Sequence, residues 1–350
     1  MPDPAATMKA AFVQAANAPF TLRDIARPVP AHGTVLVRIA AAGTNPLDTK
    51  IRAGEAAHAR RVLPAILGMD MAGTVEAVGD GVSDFAPGDE VYGLIGGVGD
   101  LQGSLAHYVA ADAALLAKKP ASLSMRQAAV LPLVAITAWE GLIDRADVQP
   151  GQTVLVQGGA GGVGHAVVQI ARAKGARVYA TALGDDLAYL ASLGATAIDG
   201  TRRPADYVEE HTAGRGFDLV YDTLGGATLD ASFQAVSRFG HVVSCLGWGT
   251  HALAPLSFRQ ATYSGVFTLE PLLAGKGRAH FGAILREVAA LADRGSLTPR
   301  LDPRAFTLET VEAAYAALMA RNGRGKIAVN IPPPGPATAA PCGQCAGTGR

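Results

Sequence analysis

The first third of the chain alternates short apolar runs with glycine, proline and aspartate. Runs at 8–12, 34–40, 71–78, 90–94 and 105–109 predict strands, and Gly79-Asp80-Gly81 and Ala86-Pro87-Gly88-Asp89 predict turns that close two of them. This is the pattern of a compact, barrel-like β domain without βαβ alternation. From about residue 128 the period changes. A helix is predicted over 128–144. Strands at 153–157, 177–182, 197–199, 218–222 and 241–245 then alternate with helices at 162–174, 185–193, 206–212 and 227–237. A last strand is predicted over 263–269, helices over 279–294 and 310–321, and a closing strand over 326–331. The whole reads as an α/β fold in which a doubly wound parallel sheet follows a β-rich domain.

The change of period coincides with the densest chemistry in the chain. Gly159-Ala160-Gly161-Gly162-Val163-Gly164 follows the strand at 153–157 and opens the helix at 162–174, so it fits G-x-G-x-x-G inside a βαβ unit. Glycines let the backbone approach a pyrophosphate, whose charge sits against the free N–H groups of the helix N-terminus. The segment therefore predicts a dinucleotide site, with Gly159, Gly161, Gly162 and Val163 as its contacts.

Composition narrows the function classes. The 350 residues are 49% hydrophobic and 17% charged, an ordinary globular balance, and 30 basic residues match 30 acidic ones with no basic run. Nucleic acid is thereby disfavoured as the main ligand. The longest apolar segment, 128–139, is too short to span a bilayer and contains Pro132. With three cysteines and no signal-peptide pattern, the expected setting is cytoplasmic, without membrane partners. Residues 1–7 read as a loose extension, and the proline-rich stretch 332–350 as a disordered tail. That tail carries Cys342 and Cys345, half of a thiolate zinc site with no second pair in the chain.

Five further segments sharpen the reading: Ala42-Gly43-Thr44-Asn45-Pro46-Leu47-Asp48, Leu67-Gly68-Met69-Asp70-Met71-Ala72-Gly73-Thr74-Val75, Phe85-Ala86-Pro87-Gly88-Asp89-Glu90-Val91, Thr137-Ala138-Trp139 and Gly323-Arg324-Gly325-Lys326-Ile327. With the glycine motif they make residues 8–331 resemble the medium-chain dehydrogenase/reductase superfamily. Within it the chain is similar to the zinc-independent, zeta-crystallin-like quinone oxidoreductase branch. The resemblance implies a GroES-like catalytic domain beginning with residues 1–130 and a Rossmann domain over 131–270. A C-terminal segment, 271–331, then returns to the catalytic domain. It also implies a homodimer. Zinc alcohol dehydrogenases of this superfamily carry Cys in the first motif and Gly-His-Glu in the second. Here the first motif has no Cys and the second reads Gly68-Met69-Asp70, so no metal site is expected.

Without a Lewis acid, simple ketones and alcohols lose their main electrostatic help. Quinones and α,β-unsaturated carbonyl compounds spread the developing charge over their own π-system, and positioning with a few donors suffices. The expected activity is therefore NAD(P)H-dependent reduction of a quinone or enone. The rivals are a zinc-type alcohol dehydrogenase and a non-catalytic dinucleotide-binding protein.

The resemblance places Asn45 against nicotinamide and acceptor, with Asp48 as its orienting group or as a helix cap. It places Thr137, Leu246, Gly247, Phe267, Thr268, Arg324 and Lys326 around the cofactor. His107 and Tyr108 are candidates for the cleft lining. Cys245 reads as a small buried hydrophobe and Trp139 as core. At the end of the second Rossmann strand, where an acid would accept ribose hydroxyls, Thr181 stands instead. Leu183-Gly184-Asp185-Asp186 lacks a lysine for a 2′-phosphate and adds carboxylates that would repel one. Arg202 and Arg203 are the candidate counter-charges. NADP(H) is the expected cofactor over NAD(H).

Overall fold

In the computed structural model, residues 7–320 and 323–333 are described. Residues 1–6, the end of the predicted helix at Arg321, and the tail from 334 with Cys342 and Cys345 lie outside them.

The strands, in chain order, are β1 (Thr7–Val13), β2 (Phe20–Ala26), β3 (Thr34–Gly43), β4 (Ala65–Ile66), β5 (Asp70–Val78), β6 (Glu90–Leu94), β7 (Tyr108–Asp112) and β8 (Leu116–Lys118). After the change of period come β9 (Thr153–Gln157), β10 (Arg177–Ala182), β11 (Thr196–Asp199), β12 (Phe217–Asp222), β13 (Val236–Ser244) and β14 (Thr262–Gly265). The chain closes with β15 (Phe306–Thr307) and β16 (Ala328–Asn330). β9 to β14 form a parallel sheet in the order β11-β10-β9-β12-β13-β14, doubly wound with its switch point between β9 and β12. The second large sheet runs β15-β16-β3-β5-β6-β8 with β7 also on β3, so β15 and β16 return to the strands of the first third of the chain. β1, β2 and β4 form a small third sheet.

Local chemistry explains where the elements depart from the sequence pattern. The helix expected over 128–144 is three pieces: Met125–Ala129, Pro132–Trp139 and a wide π-turn at Glu140–Arg145. Pro132 has no N–H and cannot continue the preceding turn, so it opens a new helix. The expected helix 227–237 stops at Ala235, because Val236 pairs with Phe217 and starts β13. That strand then slips register before Leu219 meets His241, with Phe239 in the left-handed region (φ 60°). The strand expected over 263–269 ends at Gly265, and the Val266 N–H makes one further bond to Ser244 O at 2.9 Å before the chain turns at Thr268. The strand expected over 105–109 starts only at Tyr108. His107 and Tyr108 are buried between β1 and β3, with Arg27 over the Tyr108 ring at 4.0 Å, so they belong to the β domain's core rather than to a cleft. Among the described residues no helix is long and apolar enough to cross a membrane.

The π-turn packs its glycine against Tyr221. A Cβ on Gly141 would lie 2.3 Å from Tyr221 Cε2, and the Tyr221 hydroxyl donates to Thr137 O at 2.7 Å. The fully buried tyrosine ring occupies the space a side chain at 141 would need. Gly141→Ala is therefore expected to destabilise the fold by roughly 1–3 kcal/mol, the scale of overpacking a filled core. Urea denaturation of the variant beside the wild type measures it, and an unchanged midpoint would contradict the contact.

Candidate active site

The glycine loop divides its labour by space. β9 ends at Gln157, Gly158 turns the chain at φ 74°, and the helix Gly162–Ala173 begins without a side-chain cap. A Cβ on Gly159 would meet Ala180 Cβ at 2.7 Å, and one on Gly164 would meet Gly158 O at 2.1 Å, so internal packing demands both glycines. Gly161 is different. A Cβ there would approach only Gly158 O, at 3.3 Å, and its φ of −73° is ordinary. Its openness is room beside the uncapped N–H groups of a helix N-terminus, the arrangement that takes an anion. Gly162 is covered by Lys326 Cδ and Val134 Cγ1, each within 3.4 Å of a built Cβ, while Val163 is half-buried against the core.

Thr181 lies under this loop. It is the penultimate residue of β10, buried, accepting the Gly158 N–H at 3.0 Å and donating to Gln157 Oε1 at 2.9 Å. Its hydroxyl thus braces the glycine loop, and the last residue of the strand is Ala182. Beside it a cavity of about 150 Å³ opens among Gln157, Thr181, Gly200, Arg202 and Tyr207. Arg202 pairs with Glu210 at 2.6 Å and Arg203 with Asp206 at 2.7 Å, and only Arg202 lines the cavity. The two carboxylates expected to repel a phosphate are both paired. Asp185 meets Arg324 at 2.5 Å and Asp186 meets Arg300 at 2.8 Å, and neither makes a side-chain cap to the following helix.

A second, buried polar cluster is built from three distant segments. Asn45 precedes the helix Pro46–Ala53, and its backbone N–H donates to Asp48 Oδ2 at 2.8 Å. Asn45 Nδ2 donates to Asp70 Oδ2 at 2.9 Å, and Asp70 Oδ1 accepts the Leu133 N–H at 2.9 Å. Lys326 Nζ donates to Thr44 O at 2.8 Å and to Asn45 Oδ1. All four side chains are at most 7% exposed. Burial pushes the Asp48 carboxyl up to about 7 and that of Asp70 up to about 6, while it pulls the Lys326 ammonium below its ordinary range. Asp48 Oδ1 is buried without a partner.

The remaining expected contacts separate into floor and rim. Thr137 Oγ1 donates back to Leu133 O at 2.7 Å and stands 3.0 Å from Thr268 Oγ1, which bonds Glu140 Oε2 at 2.6 Å. Burial raises the Glu140 carboxyl. Leu246 gives its N–H to Ser244 Oγ at 3.1 Å, so that group is engaged within the protein, and Gly247 is exposed beside the Tyr263 hydroxyl. Cys245 is half-buried, its thiol pushed up to about 12 by burial. Trp139 is core, with Lys174 over its ring at 5.0 Å. Phe267, 40% exposed, joins Trp248, 53% exposed, and His58 in an aromatic rim with centroids 5.2–6.4 Å apart. His58 carried no sequence signal. Asp70 stood in a quoted motif, but its partner Asn45 is 25 positions away.

Residues 162–289 match a family described as zinc-binding dehydrogenase, and residues 31–121 match the alcohol dehydrogenase GroES-like domain. The crystal structure of an alcohol dehydrogenase superfamily protein from Novosphingobium aromaticivorans is 67% identical, with a TM-score of 0.92 over 93% of this chain and 100% of that one. A 2-methylene-furan-3-one reductase of Solanum lycopersicum is 35% identical over 88% of this chain and 74% of its own. A chloroplastic NADPH-dependent alkenal/one oxidoreductase of Arabidopsis thaliana is also 35% identical, over 84% and 71%. With a GroES-like domain, a doubly wound nucleotide sheet and these relatives, the chain belongs to the medium-chain dehydrogenase/reductase superfamily.

Proposed function

We propose that this protein is a zinc-independent, NADPH-dependent reductase of conjugated carbonyl compounds, namely enones, alkenals and quinones. The observation that carries the reading is the buried Asn45–Lys326–Asp70 cluster beside the glycine loop. It offers an acceptor a fixed amide donor and a positive charge where a Lewis acid would otherwise be needed. The donor set does not suit a catalytic zinc: Met69 is a buried thioether, Asp48 and Asp70 are tied to Asn45, and among the described residues no three His, Cys, Asp or Glu side chains converge.

The glycine loop and the uncapped helix N-terminus suit a pyrophosphate, and the space at Gly161 suits close approach. When bound, the dinucleotide supplies a hydride to the conjugated carbon. Negative charge then develops on the acceptor's carbonyl oxygen. Asn45 Nδ2 has a second N–H beyond the one given to Asp70, and that hydrogen is the donor this reading assigns to the oxygen. Lys326 places its charge one residue behind, and water at the cleft supplies the proton that completes the reduction. NADPH is favoured over NADH by the neutral end of β10, by Arg202 at the adjacent cavity, and by the pairing of Asp185 and Asp186 with arginines. A second copy of the chain is the macromolecular partner in this reading, and β14, one of the two edge strands of the parallel sheet, has a side open to receive it.

The reading predicts NADPH oxidation coupled to saturation of an enone or reduction of a quinone, followed at 340 nm across an acceptor panel. Gly161→Val should keep the wild-type melting temperature yet lose at least tenfold in NADPH affinity, about 1.4 kcal/mol. Tight NADPH binding by the wild type without turnover of any acceptor would favour the non-catalytic rival.

Cofactor choice has its own test. Arg202→Ala should weaken NADPH about fivefold and leave NADH unchanged, a modest effect because this arginine is partly exposed and already paired. Equal losses for both cofactors, or none, would move the 2′-phosphate elsewhere.

The raised Asp48 carboxyl gives a pH signature. In the folded protein it keeps its proton up to about 7, whereas the unfolded chain releases it near 3.8. The folded state binds more protons across that window, so this group makes stability fall as pH rises through it. Asp48→Asn lacks the carboxyl but can still accept the Asn45 N–H. Its stability relative to the wild type should therefore improve from about pH 4 to about pH 8, read by urea denaturation at each pH. A pH-independent difference would show that Asp48 is not held protonated.

A further inference from the structure

Lys326 stands in the closing turn that sequence resemblance assigns to cofactor contact, yet its ammonium is bonded to Thr44 O and Asn45 Oδ1 of the first domain. The backbone is fixed on both sides. Its N–H donates to Arg300 O at 2.7 Å, its carbonyl accepts the Asp302 N–H at 2.8 Å, and Gly325 ahead of it turns at φ 110°. From there the aliphatic stem crosses the start of the nucleotide helix, with Cδ 3.3 Å from a Cβ built on Gly162. Beyond Gly162 the Nζ reaches the first domain, where Thr44 O and Asn45 Oδ1 take two of its three hydrogens.

These contacts decide the orientation of the Asn45 amide. An amide is nearly symmetric in shape, and only its partners distinguish oxygen from nitrogen. Lys326 can only donate, so it selects the oxygen. The ionised Asp70 carboxylate can only accept, so it selects the nitrogen. A flipped amide would set N–H against ammonium and oxygen against carboxylate, losing two charge-assisted bonds in a buried place. The orientation leaves one N–H of Nδ2 for the acceptor.

We infer that Lys326 is a positioning residue: it fixes the Asn45 amide and joins the start of the nucleotide helix to the acceptor loop, and it is not a phosphate ligand. This inference rests on the proposed reductase reading for its catalytic consequence.

The test is Lys326→Met, which keeps the stem over Gly162 and removes the ammonium. The double variant Lys326→Met/Asp70→Asn serves as partner, because it removes one of the buried carboxylates left without a cation. NADPH affinity is measured by fluorescence titration, and kcat and KM for an enone at saturating NADPH. In both variants the dissociation constant for NADPH should stay within about threefold of the wild type. The kcat should fall about a hundredfold, the scale of losing one oriented donor to a developing oxyanion. A weakened NADPH affinity that accounts for the whole loss, with kcat restored at saturation, would overturn the inference and make Lys326 a phosphate ligand. An unchanged kcat in the double variant would also overturn it. A wild type inactive on every acceptor would sink the reductase reading alone. NADPH affinity would then decide, an unchanged value supporting the inference and a tenfold loss refuting it.

Discussion

The buried ammonium of Lys326, bonded to Thr44 O and to the same Asn45 amide that gives its other end to the Asp70 carboxylate, is the constraint on which the architecture of this protein turns. Taking Lys326 and Asp70 out of water as ions carries a desolvation penalty of several kcal/mol each even after relaxation, and the same burial pushes the Asp48 carboxyl toward its neutral form. The arrangement is tolerable only because the partners are in place: Thr44 O and Asn45 Oδ1 for the cation, Asn45 and Leu133 N–H groups for the carboxylates. Those partners come from the loop after β3 and from the helix Pro132–Trp139, Asp70 is the first residue of β5, and the lysine lies just before β16. Satisfying them brings the chain's closing strand onto β3, where Ala328 pairs with Gly43 and the Thr44 N–H reaches Ile327 O at 3.0 Å. The closing of the seven-stranded sheet, the seating of the helix Pro132–Trp139 and the approach of the two domains are thus one event. Its buried charges make it intolerant of the loss of any member.

What could be read in the sequence follows the range of the forces involved. The boundaries of β9 and β10 are legible because alternation, β-branched residues and the flanking glycines act within a few positions, and the doubly wound class follows from the alternation of elements. The break at Pro132 was legible in principle, since proline cannot sit inside a continuous helix, but the apolar run through it masked the signal. The π-turn was not, because the tyrosine its glycine packs against is on β12, 80 positions along the chain. The same holds for the site. The residue types around Asn45 stand in local motifs, whereas the ammonium that orients it lies 281 positions away. Thr181 shows the converse: its place near a strand end was readable, but alternation within the strand turned its hydroxyl under the glycine loop, where Gly158 and Gln157 hold it.

The outer arginines act on a different scale from the inner lysine. Arg324 and Asp185 are 66% and 77% exposed, so solvent screens their pair and it adds little to stability. Its effect is on potential. Sequence alone leaves Asp185 and Asp186 as two negative charges beside the nucleotide cleft, whereas Arg324 and Arg300 reach across from the C-terminal segment and offset both. Arg300 is further held by stacking over Tyr189 at 4.0 Å. Charges that look unfavourable for a phosphorylated ligand along the chain are therefore balanced in space.

Floor and rim of the crevice differ in how much change they can absorb. Thr137 donates to Leu133 O, Thr268 donates to Glu140 Oε2 and the Tyr221 hydroxyl donates to Thr137 O, with the two threonine oxygens 3.0 Å apart. Each member is the partner of another, so replacing one leaves a buried polar group unmatched, at about 1–3 kcal/mol. The rim has no such coupling. His58, Trp248 and Phe267 meet ring to ring, with centroid separations from 5.2 to 6.4 Å, and two of the three are more than a third exposed. Aromatic contacts of this kind are worth only about 0.5–1.5 kcal/mol beyond burial and tolerate changes of angle. They also come from both domains, His58 after the Asn45 helix and the other two after β13 and β14. The rim rings can therefore change without disturbing the fold, while the oriented amide and its ammonium stay fixed because their buried partners have no substitute.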